Sequence, residues 1–315
     1  MKLENKEFTF DSFLSEMTKL KQEKHFDYLV TIVGEDFGPE EGLGCIYILE
    51  NTETHERISV KQLAKQVGDE YVIPSLYYVW ADVNLLEREV FDFFGIKFLG
   101  HPDMRRLYMR NDFEGWPLRK DFDMSPEKNR FPMTDEPESD WTSEWNLDEH
   151  GNLKETRHRM FDEDDFVMNF GPNHPSTHGV LRLQTVVNGE TIKHVYPHLG
   201  YIHRGMEKMM ESMTYPQTLA MTDRLNYLCA MHHRHALVGV IEEAMGVELT
   251  ERIQYIRTIM DELQRINNHL LFLGTCAQDL SALTAFLYCM RDREHLLNVM
   301  EETTGGRLIQ NYYRI

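Results

Sequence analysis

The chain has 315 residues, 42% hydrophobic and 11% aromatic, enough apolar area for about two folded domains and incompatible with wholesale disorder. Its 52 acidic and 33 basic residues leave a net charge of −19, which repels phosphate backbones and anionic headgroups and argues against a nucleic-acid partner. Cys45, Cys229, Cys276 and Cys289 lie far apart with no C-x-x-C pair, against a disulfide framework or iron–sulfur or zinc ligation within the chain, and consistent with reduced cytoplasmic thiols.

Met1 to Glu7 are charged and lack the apolar stretch that a secretory signal needs. Phe13, Leu14, Met17 and Leu20 mark a helical stripe, and Tyr28 to Val33 and Cys45 to Leu49 read as strands. Residues 1–122 are therefore expected to form an α+β domain. An amphipathic helix is expected from about Asp82 to Phe94, with Leu85, Leu86, Val90, Phe93 and Phe94 inward and Gly95 as its stop. Residues 123–165 hold 14 acidic against 5 basic residues with Pro126, Pro132 and Pro137, and read as an acidic linker.

Residues 166–315 are expected to form a β-hairpin leading into a mainly helical bundle. Val180–Val187 and Glu190–Tyr196 flank the turn pair Asn188-Gly189. From Pro216 one long helix is expected to about Met245. A second starts at Thr250 as N-cap and stops near Gly274, and a third runs from about Thr284 to Glu302 before Gly305-Gly306. The apolar run Leu270–Met290 is broken by Asp279, so it reads as two buried helices joined by a loop; any work at a membrane would be by docking.

Histidines cluster at His174, His178, His194, His198 and His203, and again at His232, His233 and His235. A metal site needs three or four converging ligands. The loop separating His174 from His178 contains a proline, and no H-E-x-x-H or C-x-x-C partner is present, so no metal site is expected. Pro175 and Gly179 bracket a stretch expected to hold fixed, non-helical backbone. That stretch reads either as a plain turn or as a rigid support for His178. Arg224 and Tyr227, three apart, would share a helix face and are equally compatible with an ordinary interface. Asp279 is the only charge between Leu270 and Met290 and calls for a partner, a histidine being the obvious type.

Taken in order, the segments Gly171–Arg182, Pro197–Lys208, Asp223–Leu228 and Leu280–Thr284 resemble the D subunit of NADH:quinone oxidoreductase, respiratory complex I. The first half resembles the C subunit of the same enzyme through Leu86–Ile96, His101–Arg106 and Pro117–Phe122. The whole is similar to a bacterial fusion of the two, and it stops at Tyr313-Arg314-Ile315 inside a motif of the D part, so it is expected to be truncated there.

The resemblance implies a peripheral-arm component of a proton-translocating enzyme, not active alone. In that enzyme electrons from NADH pass through FMN and iron–sulfur clusters of partner subunits to a quinone bound beside the cluster-bearing B subunit. It implies the B, I and G subunits and the membrane H subunit as partners, a peripheral place on the cytoplasmic side of the inner membrane, and no cofactor held tightly by this chain. Carried over by position, Tyr227 and His178 would hydrogen-bond the quinone carbonyls, Asp279 would pair with His178, and Arg224 would lie beside the cluster of the B subunit. Ile309 stands where the family often has a histidine near that cluster.

The large subunit of nickel–iron hydrogenases is related and shares Arg204-Gly205-Met206-Glu207 and Arg224. Asn226 and Tyr227 replace a cysteine and a glycine of its second motif, leaving Cys229. A hydrogenase-like subunit is one alternative. A non-catalytic assembly scaffold is another, suggested by the charged motifs of the first half, which read as subunit contacts.

Overall fold

The computed structural model describes residues 4–125, 140–162, 164–177 and 179–315, and the chain divides into two units, Met1–Arg204 and Gly205–Ile315. In the first, β1 (Glu4–Glu7) and α1 (Phe10–Gln22) precede the antiparallel strands β2 (Tyr28–Asp36), β3 (Leu43–Glu50) and β4 (Arg57–Leu63). The sheet order is β1-β4-β3-β2, with β1 parallel to β4. Phe13, Met17 and Leu20 of α1 are buried with Tyr47, Leu49 and Ile58, whereas Leu14, one step round the helix, is exposed.

A second sheet, β5-β6-β7-β8-β9, contains β5 (Lys65–Val67), β6 (Glu70–Pro74), β7 (Ile96–Leu99), β8 (Trp141–Leu147) and β9 (Leu153–Arg159). Between β6 and the parallel β7 runs α2 (Val83–Phe94). It ends on Gly95 at φ 72°, where an added Cβ would lie 2.4 Å from Trp116.

This helix buries charge as well as carbon. Leu85, expected inward, is exposed, while Glu87, Arg88 and Asp92 are buried. Asp92 accepts the Arg106 guanidinium at 2.9 Å and the backbone N–H groups of Leu107, Tyr108 and Met109 at 3.0, 2.7 and 2.8 Å. Arg88 donates to the carbonyls of Arg105 and Arg106 at 3.1 and 3.0 Å. The charged motifs that read as subunit contacts therefore point inward at these positions and fold the loop after β7 onto α2. Leaving any of these backbone groups buried and unpaired would cost about 1–3 kcal/mol.

The stretch 123–165, read as a linker, contains β8 and β9. Lys97 sits 3.7 Å above the Trp145 ring, Ser143 donates to Glu155 at 2.6 Å, and His158 meets Glu144 at 3.3 Å. Part of the acidity thus serves cross-strand pairing, which composition does not reveal. Pro126, Pro132 and Pro137 lie outside the described residues.

Next come β10 (Phe166–Phe170), β11 (Asn173–His174), β12 (Gly179–Val180), β13 (Arg182–Asn188) and β14 (Thr191–His198). The sheet β10-β13-β14 includes the hairpin expected at Asn188-Gly189. Beyond it the chain packs on the first half. An added Cβ at Gly200 (φ 94°) would fall 2.1 Å from the Tyr108 carbonyl oxygen, and the His203 ring stacks on Phe93 and Tyr108 at 5.2 and 5.5 Å. For this reason the division falls after Arg204 and not at residue 166.

The second unit holds α3 (Met206–Met210), α4 (Tyr215–Thr222), α5 (Ala230–Met245), α6 (Glu251–Asp279) and α7 (Leu283–Thr304) around a core that includes Leu219, Met231, Val238, Met260, Met300 and Tyr313. The single helix expected from Pro216 to Met245 is broken into α4 and α5. Arg234 takes the Leu219 carbonyl at 2.9 Å, the group a continuing helix would have offered to the Asp223 N–H. The Asn226 side chain accepts the Leu228 N–H at 3.1 Å and closes the intervening turn.

Gly274 does not stop α6, which runs five residues further. An added Cβ there would lie 3.2 Å from Cys289 and 3.3 Å from Phe286 and Met290, so the missing side chain lets α7 approach. The two helices are not buried as expected: Phe272, Leu273, Leu280, Leu283, Leu287 and Tyr288 are all exposed. No helix among the described residues is long and apolar enough to cross a membrane.

Candidate functional site

The residues singled out from sequence are His178, Arg224, Tyr227 and Asp279. His178 lies outside the described residues, but the chain on both sides of it is described. An added Cβ at Gly171 (φ 89°) would stand 1.9 Å from the Leu181 carbonyl oxygen, so the two ends of the loop touch backbone to backbone. Above that contact Asn173 and His174 pair with Val180 and Gly179. Pro175–Thr177 form one turn of 3₁₀ helix, in place of the non-helical backbone expected. Thr177 Oγ1 donates to the His174 carbonyl at 2.9 Å, and the His174 ring stands edge-on to Phe170 at 5.7 Å. The loop is thus closed at its base and braced from inside.

In the second unit Arg224 and Tyr227 occupy the α4–α5 turn, not a helix face, and both are exposed; Tyr227 keeps 53% of its surface open. The turn is fastened at both ends. Arg234, 2% exposed, grips Asp223 at 2.8 and 2.6 Å, and Gln264 of α6 donates to the Leu228 carbonyl at 2.5 Å. A buried bidentate pair of this kind holds its backbone firmly, because breaking it would strand a charge without solvent. What results is a rigid shelf presenting a phenol and a guanidinium outward.

Asp279 is the last residue of α6 and is exposed, not set in the buried surroundings its apolar neighbours suggested. It lies fifteen residues beyond the Gln264 anchor, about 22 Å along the axis at 1.5 Å per residue. Ile309, half-buried, sits in the turn after α7, which Arg307 ties down through Asn298 at 2.8 Å and Glu301 at 2.5 Å. Cys229, next to the turn, is half-buried, and burial pushes its thiol above the ordinary value.

Three polar constellations escaped sequence reasoning: the buried pairs Arg234 with Asp223 and Arg257 with Glu242 at 2.7 Å through two bonds, and the half-buried His235 with Asp261 at 2.7 Å. Their partners lie 11, 15 and 26 residues apart, beyond any single-helix spacing, so no local pattern announced them. Among the described residues, no group of three or more His, Cys, Asp and Glu side chains is placed to hold a metal ion.

Family models match in three places. The respiratory-chain NADH dehydrogenase 30 kDa subunit matches residues 8–128, the 49 kDa subunit of the same enzyme residues 279–315, and the nickel-dependent hydrogenase residues 204–284. The NADH-quinone oxidoreductase C/D subunit of Phocaeicola vulgatus is 54% identical over 300 residues, covering 95% of this chain and 57% of the relative. The protein of the same name from Bacteroides thetaiotaomicron is 52% identical, covering 95% and 58%. The C/D 2 subunit of Aquifex aeolicus is 38% identical, covering 96% and 53%. The chain thus spans little more than half the length of these relatives.

Proposed function

This chain belongs to the NADH-quinone oxidoreductase C/D family, and we propose that it contributes residues of the quinone-reduction site of such an enzyme. The observation that carries the reading is the α4–α5 shelf, with Tyr227 and Arg224 exposed on a turn locked by Arg234–Asp223 and Gln264.

Reducing a quinone to a quinol requires two electrons and two protons, one proton for each carbonyl oxygen. The Tyr227 hydroxyl donates to one carbonyl and the protonated His178 ring, an imidazolium, to the other. Asp279, at the end of α6, acts on His178 in this reading. By accepting one ring proton it fixes the tautomer and raises the basicity of the other nitrogen. Arg224 lies against the terminal iron–sulfur cluster of a neighbouring subunit and favours its reduced, more negative state. The electrons come from NADH through the flavin and clusters of partner subunits. With Ile309 at its position, no side chain there can take up a proton when the cluster is reduced.

In this reading the chain docks peripherally on the cytoplasmic side of the inner membrane, against the B, I, G and H subunits. The match to nickel-dependent hydrogenase favours a second reading as a nickel-binding large subunit. At this end the chain offers Cys229 without a thiolate partner at Asn226, and stoichiometric nickel in the purified complex would decide for it. The test of the quinone reading is photolabelling of the assembled enzyme with a photoreactive quinone. Labelling within residues 223–229, displaced by excess quinone, is expected; displaceable labelling confined to other subunits would refute it.

A further inference from the structure

Beside the groups that anchor the α4–α5 turn, three side chains form a continuous hydrogen-bonded chain in the second unit. The Tyr313 hydroxyl lies 2.7 Å from Asp261 Oδ1, and Asp261 Oδ2 lies 2.7 Å from His235 Nδ1. The Tyr313 and His235 rings pack against each other at 4.8 Å. Tyr313 is 2% exposed and belongs to the apolar core of this unit, so its hydroxyl is delivered to the carboxylate from inside. The side chains of His235 and Asp261 are 33% and 15% exposed, so the chain opens to solvent at the imidazole.

Proton counting fixes the roles. The phenol has one proton and two acceptors within reach, Asp261 Oδ1 at 2.7 Å and the Arg257 carbonyl at 3.0 Å. The Arg257 carbonyl lies inside α6, where the helix supplies its donor, so the phenol proton goes to the carboxylate. The second carboxylate oxygen then takes the His235 Nδ1 proton, which leaves Nε2 as the atom free to bind another. Protonation there places an imidazolium against a carboxylate that already carries one neutral donor.

The neighbouring charges are largely matched among themselves. Arg257 is held by Glu242 through two bonds of 2.7 Å, and Arg265 by Glu262 at 3.1 and 3.2 Å. From α5, His232 faces Asp261, and burial lowers its proton affinity. From the chain beyond α7, the Arg314 carbonyl accepts Arg257 at 3.3 Å, and the Tyr312 ring stands edge-on to Tyr313 at 5.9 Å.

We propose that His235, Asp261 and Tyr313 form a proton-binding triad in which protonation of His235 at Nε2 draws Asp261 to the imidazolium and loosens its hold on Tyr313, and with it the hold of the α5–α6 pair on residues 311–315. That segment supplies Asn311, Arg314 and Ile315 to one wall of a cleft of about 370 Å³, with Pro216, Leu219, Ala220 and Arg234 lining the rest. Proton binding at the triad therefore loosens a wall of this cleft.

The test is nitrogen-15 NMR of ring-labelled histidine in the 315-residue chain. His235 should keep its proton on Nδ1 and titrate at Nε2. Asp261→Asn should lower the proton affinity of His235 by about tenfold or more, since the attracting charge is gone. Tyr313→Phe should raise it several-fold, because the carboxylate loses a donor and turns fully to the imidazole. The two variants thus move the same resonance in opposite directions, which a merely structural role would not do. Hydrogen exchange at residues 311–315 should be faster, after correction for intrinsic rates, with His235 protonated. Should Asp261→Asn fail to fold, Tyr313→Phe, which removes one oxygen and keeps the ring, still decides. An unchanged His235 titration in Tyr313→Phe, a proton resident on Nε2 at high pH, or exchange at 311–315 indifferent to pH would overturn the proposal.

Discussion

Glu87 and His101 show how far single residues of the first unit are governed by burial. Burial raises the Glu87 carboxyl from an ordinary 4.5 to about 8, against the pull of the Leu76 N–H and the Ser75 hydroxyl. It lowers His101 from 6.5 to about 4. The Asp103 N–H donates to His101 Nδ1 at 3.0 Å, so the neutral ring carries its proton on Nε2, 3.3 Å from the Asn84 carbonyl. The signs follow from which state binds more protons. Folded Glu87 holds a proton that the unfolded chain releases, so its contribution is complete below 4.5 and is lost as pH rises to about 8. Folded His101 refuses a proton that the unfolded chain accepts, so its contribution is lost as pH falls from 6.5 to about 4. Each limb has a slope of up to about 1.4 kcal/mol per pH unit. In urea unfolding of Glu87→Gln, the decline above neutrality should vanish while the acid limb remains; curves that stay parallel to the unsubstituted chain up to pH 8 would contradict this. None of it was legible from sequence. The motif containing Glu87, Arg88 and Asp92 stood out, but charged residues are seldom buried without partners, and the partners lie in a loop that no local period connects to the helix.

At the scale of elements, periodicity and turn chemistry carried most of the reading. The stripe of α1, the Gly95 stop of α2, the Asn188-Gly189 hairpin and Thr250 before α6 all stand where apolar spacing and special backbone positions put them. Errors came where a tertiary contact overrode a local signal. Arg234 split one expected helix into two, and Gly274 serves as a packing notch where a stop was read. The loop after β14 was legible only as a motif. Its fold depends on Gly200 approaching Tyr108 and His203 stacking on Phe93. Gly200→Ala combines a disfavoured φ of 94° with a Cβ 2.1 Å from a carbonyl oxygen. It should cost at least about 2 kcal/mol and free the His203 ring. Calorimetry with the His203 NMR signal as reporter checks this; unchanged stability and an unmoved His203 resonance would show that the loop does not need that approach.

On the scale of the whole molecule, the two resemblances read from sequence correspond to the matched families: 30 kDa subunit in the first half, 49 kDa subunit near the end, and hydrogenase between. Family motifs made the candidate residues legible, since nothing local distinguishes Tyr227 from an ordinary exposed tyrosine. What they did not convey is where the units divide. That boundary follows from packing around Phe93, Tyr108 and His203, and it assigns the hairpin and the His178 loop to the first unit. The acidic stretch likewise looked like a tether because strand pairing, not composition, decides its role.

The central claim, that the shelf carrying Tyr227 serves quinone reduction, meets its most direct test in the assembled enzyme bearing Tyr227→Phe. The substitution removes one hydroxyl from an exposed side chain and should leave folding and assembly intact. NADH-to-quinone electron transfer should fall by about 10²-fold or more, as expected for loss of a proton donor, while NADH oxidation by an artificial acceptor stays unchanged. Full quinone turnover, or equal loss of both activities, would contradict the assignment.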